Sequence, residues 1–482
     1  MQTSSGLSGL SELRDKRVVV VGLGASGIAA ARLCRRLGAR VTANDGKPLA
    51  AWSPEARALE GLGIALAAGD HASARLDEAD LVVVSPGVPS LPEVVRAEAR
   101  GVPIWGEVEL AVRSMETPAP VVAIGGTNGK STTTSLVGAL LEAAGKASGA
   151  ARAGGAGGAG GKNVFVGGNL GEPLASHTQE RFDALVLEVS SFQMERVDAF
   201  HPFVCALLNV TDDHLDRYPS FAAYAHAKGN AFLRQTDEDW AVIPADDDVC
   251  RAEARRGHGR IVTFGPGGSL DITDDAVVDR RAGERYARAD MALTGGHNAK
   301  NVAAAIACAV PFGVAPDTIR NVLATFRGLP HRTALVAEHG GVRFYDDSKG
   351  TNVGAAVTAL LGLVEPRAVL IAGGRDKGGT YGPLAEALCA KGRAVVVLGE
   401  AANAIAAAIG DRLPVRHAGS MREAVRLGAS LAEPGDAVLL SPACSSFDMF
   451  RDYKDRGDQF VAAVRELVGP AAGARAPGEG AP

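Results

Sequence analysis

The chain has 482 residues, of which 46% are hydrophobic and 22% charged, with a formal net charge of -5. That length exceeds what one hydrophobic core supports and predicts about three domains of ~150 residues. The charge balance excludes the basic surface that nucleic acid demands, the ordinary composition excludes wholesale disorder, and no run approaches the ~20 apolar residues of a membrane span.

Met1 to Arg17 is polar and lacks the apolar stretch of a secretion signal, and the six cysteines show no metal-ligand spacing. A soluble cytoplasmic protein with reduced thiols is expected. Short β-branched runs then alternate with Ala-rich helical patterns, so the fold class is α/β, with parallel sheets covered by helices. Residues 1–117 form the first predicted domain, with strands at Arg17 to Val21, Val41 to Asp45 and Leu81 to Ser85. Its first strand runs into Gly22-Leu23-Gly24-Ala25-Ser26-Gly27, with Asp45 ending the next strand. This is the pattern of a Rossmann-like loop that rests a diphosphate on a helix N-terminus. Taken alone, it leaves open a tight strand-to-helix turn that binds no ligand and, if a diphosphate binds, which one, a nicotinamide cofactor included.

The second predicted domain, 118–328, carries a sharper motif. The strand Pro120 to Ile124 leads into Gly125-Gly126-Thr127-Asn128-Gly129-Lys130-Ser131, and a helical pattern begins at Thr132. Backbone amides of such a loop cradle phosphate oxygens, Lys130 brings charge to the β- and γ-phosphates, and the Ser131 hydroxyl suits Mg²⁺. The loop is one residue shorter than the general pattern, since five residues before Gly129 stands Ile124. Glu188 ends the strand Ala184 to Val189, and His214 follows the strand Val204 to Val210, so a carboxylate and an imidazole reach the same ligand-facing sheet edge. Between them, Ser148 to Gly161 is nearly all Gly and Ala and reads as a flexible insertion (148–161). Asn298 and Asn301 open an Ala-rich helix, where Asn298 suits a cap.

The third predicted domain, 329–469, begins at Leu329-Pro330-His331-Arg332, where Arg332 suits a phosphate clamp. Its strands Val342 to Tyr345, Ala368 to Ala372, Ala394 to Leu398 and Ala437 to Leu440 predict another mostly parallel, Rossmann-like sheet. Three of them are followed by Asp347-Ser348-Lys349-Gly350-Thr351-Asn352, Gly373 to Gly378 and Ser441 to Asp448, loops rich in lysine, hydroxyls and turn glycines, as a carboxylate-bearing acceptor requires. Residues 470–482 read as a disordered tail.

These strings resemble the Mur ligases of peptidoglycan synthesis, over roughly Val18 to Val468. The GTNGKS loop and Glu188 are shared across the family, whereas Leu187 to Gln193, Asn209 to Tyr218, Asp347 to Asn352 and Ser441 to Asp448 are similar to its D-glutamate-adding branch. The resemblance implies three domains: Rossmann-like, P-loop ATPase-like and Rossmann-like. It implies UDP-N-acetylmuramoyl-L-alanine, D-glutamate and ATP as substrates, two Mg²⁺ sites, a monomer, and amide-bond formation through an acyl phosphate.

The resemblance also distributes roles. Ser26, Asp45, Gly87, Asn169 and His214 would hold the uridine-diphosphate substrate. ATP would meet Gly126, Thr127, Asn128, Gly129, Lys130, Ser131, Thr132, Asn298, Asn301, Arg332, Asp347 and Lys349, while Thr351, Lys377, Ser446 and Tyr453 would hold D-glutamate. Metal would sit on Ser131, Glu188, His214 and Lys228, the last as a carbamate, because an ammonium cannot ligate a cation. Catalysis would fall to Lys130, His214, Lys228, Arg332 and Lys349. Read by itself, Lys228 is a helix-surface lysine. The chain departs from the family pattern at Gly125, Pro244, Ala334 and Tyr453.

Overall fold

The computed structural model describes residues 13–152, 163–213, 217–293, 295–376 and 380–469. His214, Lys377, the expected tail 470–482 and residues 153–161 of the expected insertion lie outside the described residues.

Among the described residues the strands make three sheets. The first contains β1 (Arg17–Val21), β2 (Arg40–Asp45), β3 (Ala65–Ala68), β4 (Leu81–Val84) and β5 (Ile104–Gly106), in the order β3-β2-β1-β4-β5 and parallel throughout. The runs Val18 to Val21 and Leu81 to Val84 are buried along their whole length, as expected of parallel strands covered on both faces. Because the chain leaves β1 for β2 on one side and returns to β4 on the other, the carboxyl end of β1 is a topological switch point. The loop Gly22 to Gly27 emerges there.

The second sheet contains β6 (Val121–Gly125), β7 (Val164–Gly168), β8 (Ala184–Glu188), β9 (Val204–Leu207), β10 (Trp240–Pro244), β11 (Arg260–Phe264), β12 (Leu270–Ile272), β13 (Ala276–Asp279) and β14 (Glu284–Ala287). Its order is β14-β13-β12-β11-β10-β9-β6-β8-β7, so β6 lies at a second switch point. The sheet is parallel except for the antiparallel additions β12-β13 and β13-β14, which the periodicity did not predict. Two boundaries also differ from expectation. β9 stops at Leu207 rather than Val210, because Asn209 hydrogen-bonds to the phosphate loop instead of extending the ladder. The helix after β6 spans Lys130–Arg152, starting two residues early and running into the expected insertion, as alanine's high helix propensity favours.

The third sheet contains β15 (Ala334–His339), β16 (Val342–Asp346), β17 (Ala368–Gly373), β18 (Gly392–Leu398), β19 (Val415–His417) and β20 (Ala437–Leu440), ordered β15-β16-β20-β17-β18-β19. Only β15 pairs antiparallel.

Contacts group the chain into two compact units, the first holding the first two sheets and the second holding the third sheet with short segments around 211–213 and 292–299. Within the first unit the helix Glu107–Arg113 docks one sheet's domain onto the other. Glu109, 1% exposed, accepts the backbone N–H groups of Asp198 (3.0 Å), Ala199 (2.8 Å) and Phe200 (3.0 Å) and pairs with Arg113. Several donors on one carboxylate offset its desolvation. Among the described residues neighbouring Glu107 accepts only Ala175 N–H, at 2.7 Å, and burial pushes its carboxyl up to about 7. Among the described residues no helix is long and apolar enough to cross a membrane.

Candidate active site

The phosphate loop is held from several directions. Gly126 and Gly129 adopt φ of 140° and 86°, conformations open to glycine but strained for other residues. A Cβ on Gly129 would stand 2.3 Å from Asn301 Oδ1, so glycine is also what lets the helix Gly296–Ala309 approach the loop through Asn301. Asn209 grips the loop opposite: its carbonyl accepts Thr127 N–H (3.0 Å), its Oδ1 accepts Asn128 N–H (2.9 Å), and its Nδ2 donates to Asn128 O (3.0 Å). Asn209 lies in a string singled out for resemblance, yet no role was expected of it.

Two lysines converge on one carbonyl. Lys130 Nζ donates to Gly126 O (2.9 Å) and Thr127 O (2.8 Å), and Lys228 Nζ donates to the same Gly126 O (2.9 Å) while lying 4.5 Å from the centre of the Tyr224 ring. Lys228 is 6% exposed, which overturns its reading as a helix-surface lysine. Its helix, Phe221–Gly229, turns that face inward because Tyr224 one turn earlier is buried and its hydroxyl lies 3.2 Å from Thr127 Oγ1. Both lysine side chains thus meet at the mouth of the loop on one backbone oxygen.

Ser131 and Glu188 are both buried beside this loop, on adjacent elements after β6 and at the end of β8. Their hydroxyl and carboxylate oxygens are hard donors of the kind that Mg²⁺ takes. Glu188 Oε1 accepts Asn169 Nδ2 at 2.7 Å, so Asn169 stands with Glu188 on the second sheet. Just beyond, Ser190 and Gln193 form a capping box that fixes the short helix Ser191–Met194.

In the first sheet, Ser26, Asp45 and Gly87 follow β1, β2 and β4 at one carboxyl edge. The Asp45 carboxylate accepts Leu23 N–H (3.1 Å) and Lys47 N–H (3.0 Å), tying the glycine turn down. A Cβ on Gly27 would lie 1.9 Å from Gly22 O, so only glycine closes this turn.

The second unit gathers its own cluster at the carboxyl edge of the third sheet. His331 and Thr333 have φ of 61° and 47°, a costly backbone held by His331 Nδ1 against Asp346 (2.7 Å) and by Lys349 N–H on His331 O (3.1 Å). Arg332 lies between them. Asp347 accepts Ser441 Oγ–H (2.6 Å) and Thr333 N–H (3.1 Å). Burial pushes its carboxyl up to about 6, against the Ser441 hydrogen bond and the Arg332 charge. Lys349 Nζ lies 4.1 Å over the Tyr453 ring, and Thr351 and Ser446 sit on the loops after β16 and β20. Arg456, 1% exposed, is a residue the sequence reading missed. It donates to Ser348 O (2.8 Å), Ser348 Oγ (3.0 Å) and Cys444 O (3.1 Å), stitching two of these loops, while burial lowers its pKa to about 10.

Comparison with known proteins finds three family domains along the chain. The Mur ligase MurD-like N-terminal domain matches residues 16–106, the Mur ligase middle domain residues 124–309, and the Mur ligase glutamate ligase domain residues 331–444. The chain is 41% identical over 465 residues to the UDP-N-acetylmuramoylalanine–D-glutamate ligase of Trichlorobacter lovleyi, covering 95% of this chain and 100% of that one. It is 44% identical over 468 residues to the enzyme of the same name from Anaeromyxobacter dehalogenans, covering 93% and 97%. Its fold resembles that of MurF ligase from Thermotoga maritima, solved in complex with ADP, at a TM-score of 0.57 and 17% identity over 96% of this chain and 97% of that chain.

Proposed function

This chain belongs to the Mur ligase family and is an amide-bond-forming ligase, and from that premise we propose that it joins D-glutamate to UDP-N-acetylmuramoyl-L-alanine at the cost of ATP, in the cytoplasmic stage of peptidoglycan precursor synthesis. The observation that carries the chemistry is the convergence of Lys130 and Lys228 on Gly126 O beside buried Ser131 and Glu188. The choice of acceptor is supported by the names of relatives that align over 95% and 93% of the chain.

A carboxylate is a poor electrophile, so it must gain a leaving group before an amine attacks. In this reading the L-alanyl carboxylate attacks the γ-phosphorus of ATP, ADP departs, and the resulting acyl phosphate is attacked by the amine of D-glutamate to release phosphate. Loop amides and Lys130 offset the charge that builds on the transferring phosphoryl. Ser131 and Glu188 would hold one Mg²⁺, which lends further positive charge to the same oxygens. His214 and Lys228 are proposed for the second, with Lys228 as a carbamate; bicarbonate should then restore activity lost on CO₂ depletion. Ser26, Asp45, Gly87, Asn169 and His214 are assigned to the uridine-diphosphate substrate. Asn298, Asn301, Arg332, Asp347 and Lys349 are assigned to ATP, and Thr351, Lys377, Ser446 and Tyr453 to D-glutamate.

The deciding experiment supplies ATP and UDP-N-acetylmuramoyl-L-alanine with D-glutamate, L-glutamate, L-alanine or diaminopimelate in turn and follows ADP release. Turnover with D-glutamate alone is expected. Preference for another acceptor would leave the ligase chemistry standing and overturn the acceptor assignment.

A further inference from the structure

Arg217 has a set of partners that the assigned roles do not use. One guanidinium nitrogen donates to Val88 O at 2.8 Å and Pro86 O at 3.4 Å, the two carbonyls that bracket Gly87. Another donates to Glu195 Oε2 at 3.0 Å, and the guanidinium carbon lies 4.3 Å over the Phe192 ring. The side chain is 22% exposed, so these contacts are only partly screened by water. Phe192 belongs to the short helix fixed by the Ser190 and Gln193 capping box, four residues beyond Glu188. The platform beneath Arg217 is therefore rigid and anchored to the second sheet.

The loop it grips is equally tied to the first sheet. Val88 N–H donates to Ser85 O (3.0 Å), Ser85 Oγ donates to Gly22 O (2.7 Å), and a Cβ on Gly22 would fall 2.3 Å from Val88 Cγ2. The segment around Gly87 thus lies flat against the opening of the glycine turn. Its outer carbonyls are bound to a side chain from the other sheet's domain.

We propose that Arg217 is a positioning residue for the diphosphate substrate, fixing the Pro86–Val88 segment against the Gly22 turn and coupling it to the segment that carries Glu188. The proposal rests on the assignment of Ser26, Asp45 and Gly87 to the uridine-diphosphate group. A planar fork with several donors suits two carbonyls and a carboxylate at once, whereas a lysine, with one compact ammonium, cannot span them. The arginine adds positive charge near an anionic ligand, but its role is geometric. Without it, Gly87, which has no side chain of its own, loses the hydrogen bonds that hold the carbonyls on either side of it, leaving the Val88 N–H to Ser85 O bond.

The test is titration calorimetry of the full chain with UDP alone and, separately, with a non-hydrolysable ATP analogue, alongside thermal melting. Arg217→Ala is expected to weaken UDP binding about tenfold, the scale of one charge-assisted hydrogen bond, and to leave the ATP analogue within about twofold. Arg217→Lys is expected to fall between, about threefold weaker for UDP, and carries the test if the alanine variant does not fold. Wild-type UDP affinity in a folded Arg217→Lys would overturn the proposal. So would equal weakening of both nucleotides with a lowered melting temperature, the mark of a merely structural arginine. Failure of the wild-type chain to bind UDP would instead remove the diphosphate assignment itself, an outcome read before any variant is compared.

Discussion

The chain contains two glycine loops built on one topological plan and given opposite electrostatics. Each leaves the carboxyl end of a central parallel strand at a switch point and enters a helix, β1 into Gly22 to Gly27 and β6 into Gly126 to Lys130. The first is braced by an acid: Asp45 holds Leu23 N–H, and Ser85 holds Gly22 O. The second is braced by a neutral amide, Asn209, and has Lys130 and Lys228 at its mouth. Glycine geometry therefore says that phosphate can approach, and the flanking charges say what the phosphate is for. A loop beside a fixed carboxylate suits holding a substrate that does not react there, while a loop with the Lys130 ammonium at its mouth suits phosphoryl transfer, where negative charge accumulates.

The widest separation between the loops should come from Lys130→Ala, which is expected to lower kcat by ~10² or more while UDP affinity stays unchanged. Equal loss of UDP binding in calorimetry would show that the loops do not divide the work. Glu107 probes the helix that joins the two domains. Burial raises its carboxyl from an ordinary 4.5 to about 7, so the folded state holds an extra proton between those values. Stability should be greatest below the lower value, fall as pH rises through about 7, and stay level above it. Urea denaturation at pH 5 and pH 8 should show Glu107→Gln removing this slope and stabilising the protein at pH 8 by about 2 kcal/mol.

Asn209→Ala should raise the KM for ATP about tenfold, since two side-chain hydrogen bonds to the loop disappear. Its effect on the KM for the UDP substrate should be small, and a comparable rise in both would blur the comparison. The smallest effect is expected from Asp45→Asn, because the amide oxygen still accepts one of the two backbone N–H groups. A roughly threefold loss of UDP affinity, with kcat retained, is the expected outcome.

How far these features could be read in advance follows the same divide. Strands such as Val18 to Val21 and both glycine loops are local patterns, and glycine at a strand end has few alternative explanations, so the structure finds them where periodicity placed them. Lys228 was invisible because its burial depends on Tyr224 and Gly126, residues distant from each other in sequence. Arg456 was hidden in Asp452 to Asp458, a charged stretch that reads as a solvated helix face but packs its arginine among loop carbonyls. Asn209 looks like a turn residue until the phosphate loop is seen beside it. The strands β12 to β14, three or four residues each, are too short for alternation to register.

If the second loop is where a carboxylate is activated, oxygen should move with the phosphoryl group. The measurement is mass spectrometry of the phosphate released when UDP-N-acetylmuramoyl-L-alanine carries ¹⁸O in its alanyl carboxylate and D-glutamate and ATP are supplied. The predicted result is one ¹⁸O in each phosphate formed, with labelled phosphate appearing more slowly in step with turnover in Lys130→Ala. Amide formation that leaves the phosphate unlabelled would contradict the acyl-phosphate route and the division of labour between the loops.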